Sequence, residues 1–169
     1  MEKDKTFKVG DKIIHFDQVY KIFKIKGGKN KDKVIFFRRY FKGKEHRKLV
    51  FSIPISSIDE TRVRKPLSKK KLKDLLKTLG QKSKLKTAIN IVKAKEQFES
   101  NSPHKNVEVL NRLWQEKKSD PDNFNKSRET VFKLAIKKLA EEIAFVKDIS
   151  LMQAGKKIKN ALEKCIRND

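Results

Sequence analysis

Between residues 7 and 55 apolar and polar positions alternate over short runs broken by turn residues, the period-2 signature of half-buried strands. The run Phe7 to Phe16 mixes alternation with a Gly10-Asp11 turn. Val19 to Lys26 is β-branched and aromatic and stops at Gly27-Gly28. A third run spans Val34 to Phe41, ending near Gly43. The fourth, Leu49 to Ile53, stops at Pro54, whose missing N–H cannot serve a central ladder. Four or five short strands this closely spaced predict a small, strongly bent sheet or barrel.

The period changes after Pro54. Residues 55 to 67, with Ser56-Ser57, Asp59-Glu60 and Pro66, read as a connector. From Ser68 the apolar spacing is helical. Ser68 caps a first helix carrying Leu72, Leu75, Leu76 and Leu79, closed by Gly80. A second is expected from about Lys84 to Phe98 with Ala88, Ile91, Val92 and Phe98 inward. Ser102-Pro103 opens a third through Val107, Leu110, Leu113 and Trp114, the tryptophan reading as a core anchor. Asn125 or Ser127 opens the longest, with Val131, Leu134, Ala135, Leu139, Ile143 and Ala144 on one face. Ser150-x-x-Gln153 is a capping box for a last helix that contains Gly155. The expected fold is therefore multidomain, α and β: a bent β-sheet or barrel over 1–60, a linker at 61–67, and an all-α domain of about five helices over 68–169.

Charge changes the picture most. The 169 residues hold 44 Lys+Arg against 21 Asp+Glu, a formal net charge of +23. Such a field attracts polyanions. Both halves share it, but residues 69 to 95 hold ten lysines and one acid, Asp74. Lysine contacts of this kind hold phosphates without reading bases. The expected DNA-binding residues are Lys69, Lys70, Lys73, Lys77, Lys82, Lys84, Lys86, Lys93 and Lys95, with Lys126 and Arg128 on the long helix. Phe36, Phe37, Tyr40, Phe41 and Phe51 suit either a barrel core or a base-stacking platform.

Other chemistry is thin. His15, His46 and His104 stand apart with no metal-ligand spacing. Gly27-Gly28-Lys29 lacks the spacing of a phosphate loop and reads as a hairpin. Glu141-Glu142 reads as helix-surface charge. Neither an enzyme nor a cofactor is expected. The apolar runs are far shorter than the roughly 18 residues of a membrane span, and the charged start MEKDKTFK lacks a secretory h-region. The single cysteine, Cys165, forms no intramolecular disulfide and reads as a small hydrophobe on the last helix. A cytoplasmic, nucleoid-associated monomer without membrane contact is the expectation.

Phe7-Lys8-Val9-Gly10-Asp11-Lys12-Ile13-Ile14, then Ile53-Pro54 and the stretch to Arg64, Val107 to Trp114, and Phe124 to Ala144 follow one another in a telling order. That order resembles the CarD/CdnL family of bacterial transcription regulators, whose N-terminal domain is similar to the polymerase-interacting domain of transcription-repair coupling factors. It implies a Tudor-like first domain docking on the RNA polymerase β subunit through Lys26, Arg38, Arg47, Phe51 and Ile53. It also implies a helical domain on double-stranded promoter DNA. Two departures stand out: residues 15–20 contain no glycine, and the family's early second-helix tryptophan falls near Thr87. The alternative is a stand-alone architectural DNA- or RNA-binding protein without a polymerase contact.

Overall fold

The structure is a computed structural model that describes residues 6–28, 33–41, 49–83 and 88–167, with 165–167 as backbone only. Arg47, Lys84, Lys86 and Thr87, and the side chain of Cys165, lie outside the described residues. The chain forms two compact units, Met1–Pro66 and Leu67–Asp169.

The first unit is a curled antiparallel sheet of four strands in sequential order: β1 (Lys12–His15), β2 (Gln18–Lys26), β3 (Val34–Arg39) and β4 (Phe51–Pro54). β1 and β2 are joined by Phe16 and Asp17, both left-handed at φ 48° and 59°. A two-residue hairpin turn needs that conformation, which glycine or asparagine adopts far more easily than phenylalanine. Extra residue Phe23 bulges β2, where the register jumps between Ile22 and Lys24, and this deepens the curl. Ile13, Tyr20, Ile22, Ile35, Phe37 and Ile53 fill the concave side with Phe7. Ile58 and Val63 close the same core, and the backbone of Arg64 pairs with Ile14 on the β1 edge. The stretch read as a connector therefore also contributes to the core through Ile58 and Val63, while Ser56, Asp59, Glu60, Arg62 and Lys65 stay exposed.

The second unit has five helices: α1 (Lys69–Leu79), α2 (Ile91–Glu99), α3 (Pro103–Ser119), α4 (Lys126–Lys147) and α5 (Leu151–Arg167). Side-chain caps start most of them. Ser68, Asn90 and Asn125 accept from the backbone N–H of Lys71, Lys93 and Arg128, and Ser150 and Gln153 bond reciprocally. α4 packs on α3 and α5, and α1 lies against α3, α4 and α5. Trp114 is buried and its ring stacks on Phe132 at 5.9 Å.

Three expectations need correction here. Helix α2 starts at Ile91, because the Asn90 side chain caps there, so Ala88 to Asn90 are not helical. Its inward residues are Ala94 and Phe98, preceded by buried Ile89, while Ala88 and Val92 face solvent. Leu134 is 37% exposed, its place in the core taken by Phe132. Glu141 and Glu142 are both buried, each 4% exposed, and Glu142 Oε1 accepts the Leu67 N–H at 2.8 Å. That bond fastens the entry of α1 to α4.

Candidate nucleic-acid interface

α1 carries the lysines at helical spacing. Lys70, Lys73 and Lys77 recur at i, i+3 and i+7, and Lys69 joins Lys73 at i+4, so the four share one flank of the helix. All four are exposed, opposite the buried row Leu72, Leu75 and Leu79. None of the four, nor Asp74, forms an ion pair with a described residue. Three lysines in the first turn with no acid oppose the helix dipole, a penalty of a few tenths of a kcal/mol each. The flank is thus a dense positive surface on a rigid element, with no ion pair to a described residue, suited to phosphate and offering no planar fork for base edges.

The remaining predicted lysines are dispersed. Lys93 and Lys95 are exposed on α2, on either side of buried Ala94, and Lys82 is exposed after α1. Lys126 is exposed at the first residue of α4. Arg128 is committed inside the unit: its Nε lies 3.4 Å from Glu116 Oε2, and its Nη1 donates to the Ile89 carbonyl at 3.5 Å. The other Glu116 oxygen accepts the Ile89 N–H. Arg128 therefore pins the residues before α2 onto α3 and α4, its charge largely met by Glu116.

Lysines outside the predicted set serve the core. Lys117 lies over the Phe124 and Phe132 rings at 5.4 and 5.3 Å and donates to Glu129 at 2.7 Å. That bond, with a weaker one from Lys133, holds the Glu129 carboxyl below its usual range. Lys118 covers Trp114 at 4.7 Å and Lys138 covers Phe98 at 5.6 Å.

In the sheet unit the four described residues expected to meet polymerase divide between two faces. The pairings Lys26 with Val34, Lys21 with Arg38, Ile53 with Ile35 and Phe51 with Phe37 put Lys26 and Arg38 on the convex side, and Phe51 and Ile53 on the core side. Lys26 and Arg38 sit about 13 Å apart along the sheet, four residues at roughly 3.3 Å each. Ile53 is 7% exposed, so its side chain is committed to the core and cannot also present itself to a partner. Phe51 sits at the rim, 36% exposed, stacked on Phe37 at 5.8 Å. With exposed Leu49 and Val50 just before it, Phe51 leaves an apolar margin at the start of β4, which lies at the end of the strand order. Phe37 is core, whereas Tyr40 is exposed, so the aromatics do not form one stacking platform.

His15 is half-buried beside Phe37 and Tyr20, and burial lowers its pKa from 6.5 against a smaller opposing pull from the Thr61 backbone. No described group of His, Cys, Asp or Glu could hold a metal ion, and no described helix is long and apolar enough to cross a membrane. The sequence reading missed Lys147 and Lys157, which meet Lys69 at one cleft; the signal in the sequence was the Lys156-Lys157-x-Lys159 run. No protein-family model and no curated protein matches this chain.

Proposed function

We propose that this protein is a non-enzymatic, CarD-like transcription regulator that holds double-stranded DNA through its helical unit and docks on the RNA polymerase β subunit through a Tudor-like sheet. The observation that carries the reading is the α1 flank of Lys69, Lys70, Lys73 and Lys77, exposed and without an ion-pair partner among the described residues. Binding by such a surface is electrostatic, tolerant of sequence and steeply dependent on salt. In the full-length chain, replacing those four lysines by glutamine is expected to weaken duplex binding by well over tenfold at 0.1 M salt. An unchanged affinity refutes this role for α1.

On the polymerase side, the apolar β4 margin around Phe51 supplies the contact and convex Lys26 and Arg38 do not share its face. Capture of the polymerase β subunit by the full chain, lost in Phe51→Ser and kept in Lys26→Gln, is the expected pattern. One observation favours the alternative, an architectural DNA- or RNA-binding protein without polymerase contact: the residues expected to dock do not gather on one surface. Strong duplex binding with no polymerase capture decides for that alternative.

A further inference from the structure

The start of α1, the end of α4 and the second turn of α5 meet around one cleft of about 360 Å³, lined by Lys69, Leu72, Val146, Lys147, Ile149 and Lys157. Half of that lining is lysine, each from a different helix, and none of it is acidic. The three ammonium groups have no ion-pair partner among the described residues. Their placement is fixed by separate devices. Lys69 follows Leu67, whose N–H is held by buried Glu142. Lys147 ends α4 immediately before Asp148, a left-handed cap at φ 53° whose N–H returns to Ala144 and Phe145. Lys157 precedes fully buried Ile158, one turn beyond the Ser150–Gln153 capping box.

Three exposed lysines lining one cleft with no acid among its lining bring like charges to the same region, which is unfavourable for the isolated protein at low salt. Lys69 also stands at the positive end of α1. Lys147 has a local reason to be where it is, since it offsets the dipole at the end of α4. That accounts for one of the three. A bound anion removes the conflict for all of them, and a cleft of about 360 Å³ has room for a phosphate together with water.

We propose that this cleft seats a single backbone phosphate of the bound nucleic acid, with Lys69, Lys147 and Lys157 acting as one unit. The seat rests on the nucleic-acid reading above and gives it a fixed point: the α1 flank supplies diffuse attraction, and the cleft sets where the strand crosses the helical unit.

The test uses the full-length chain, a fluorescent duplex and salt from 50 to 200 mM, with Lys69→Gln, Lys147→Gln and Lys157→Gln singly and together. Lys137→Gln, an exposed α4 lysine outside the cleft, is the control. Each single variant is expected to lose about three- to tenfold in affinity, and the triple variant much less than the product of the three. Its slope of log affinity against log salt is expected to fall by about one. Without DNA, the triple variant is expected to melt higher than the parent at low salt and equally in 1 M salt. A slope that falls by nearly three, or a triple variant that binds like the control, overturns the seat while leaving nucleic-acid binding intact. Millimolar inorganic phosphate that raises the melting temperature of the parent without competing with duplex assigns the cleft to free phosphate and overturns it too. If the parent chain binds no duplex at all, the broader reading falls and the seat with it.

Discussion

The same substitution, glycine to alanine, should have opposite effects at two places on α5 and its neighbour. Gly155 lies within α5, and a Cβ built there meets nothing within 4 Å. Alanine at an open helix-interior site gains about 0.8–1 kcal/mol over glycine, mainly by restricting the unfolded chain. At Gly80, which closes α1, a Cβ would lie 3.3 Å from the Ala161 carbonyl oxygen and 3.5 Å from that of Lys77. Its φ of −83° imposes no left-handed strain, so the obstacle is proximity alone. The Lys77 oxygen is in ordinary contact, whereas the Ala161 oxygen is α5 backbone that cannot swing aside, so α5 has to give by a few tenths of an ångström. That displacement costs about 1–3 kcal/mol, against an entropic gain of about 0.4–1 kcal/mol. For a unit of this size 1 kcal/mol shifts the midpoint by roughly 4–8 °C. Thermal melts followed by far-ultraviolet circular dichroism should therefore place Gly155→Ala about 3–8 °C above the parent and Gly80→Ala below it. A Gly80→Ala protein melting at or above the parent refutes the close seating of α5 on α1, and a Gly155→Ala protein melting lower refutes the open surface at that position.

Three further outcomes follow from single residues. Glu142→Ala leaves the Leu67 N–H without its buried carboxylate and should lower stability by about 2 kcal/mol in urea denaturation, with Glu142→Gln recovering part of the loss. Phe16→Asn places a residue tolerant of positive φ in the β1–β2 turn and should stabilise the sheet unit by about 0.5–1 kcal/mol, read from the same titration. His15, with its folded pKa depressed below 6.5 by burial, contributes stability present above that pH. As pH falls through about 6.5 the unfolded chain takes up the proton first, so the stability of the parent should decline and that of His15→Gln should decline less.

The β/α division was legible because the hydrophobic period changes from 2 to 3.6 near Pro54, and most helix starts were legible because capping has a short sequence signature. Asn90 was the exception. The lysines around it extended the apparent helix toward Lys84, and only a side-chain bond to the Lys93 N–H shows where the turn begins. Glu141 and Glu142 misled for a different reason: helical periodicity does not reveal a buried carboxylate when its acceptor duty is toward Leu67, 75 residues away. The connector misled because Ile58 and Val63 complete a core whose other members lie as far back as Phe7, and no local pattern marks such a plug. At the candidate interface, the α1 lysines were visible as a charge run. Lys147 and Lys157 were not, since their meeting with Lys69 depends on how α1, α4 and α5 pack. Arg128 looked like a free cation because its partner, Glu116, sits on another helix.

A chain that holds nucleic acid by its phosphates binds with little regard to sequence and loses affinity as salt rises. The most direct measurement is the affinity of the full-length protein for two duplexes of equal length and unrelated sequence, taken from 50 to 200 mM salt, for the parent and for the chain with Lys69, Lys70, Lys73 and Lys77 changed to glutamine. Equal affinities for the two duplexes are expected, with a fall of about ten- to a thousandfold across that range and a clearly shallower fall in the variant. Salt-insensitive binding, a marked preference for one duplex, or a variant as salt-sensitive as its parent would contradict that mode of binding.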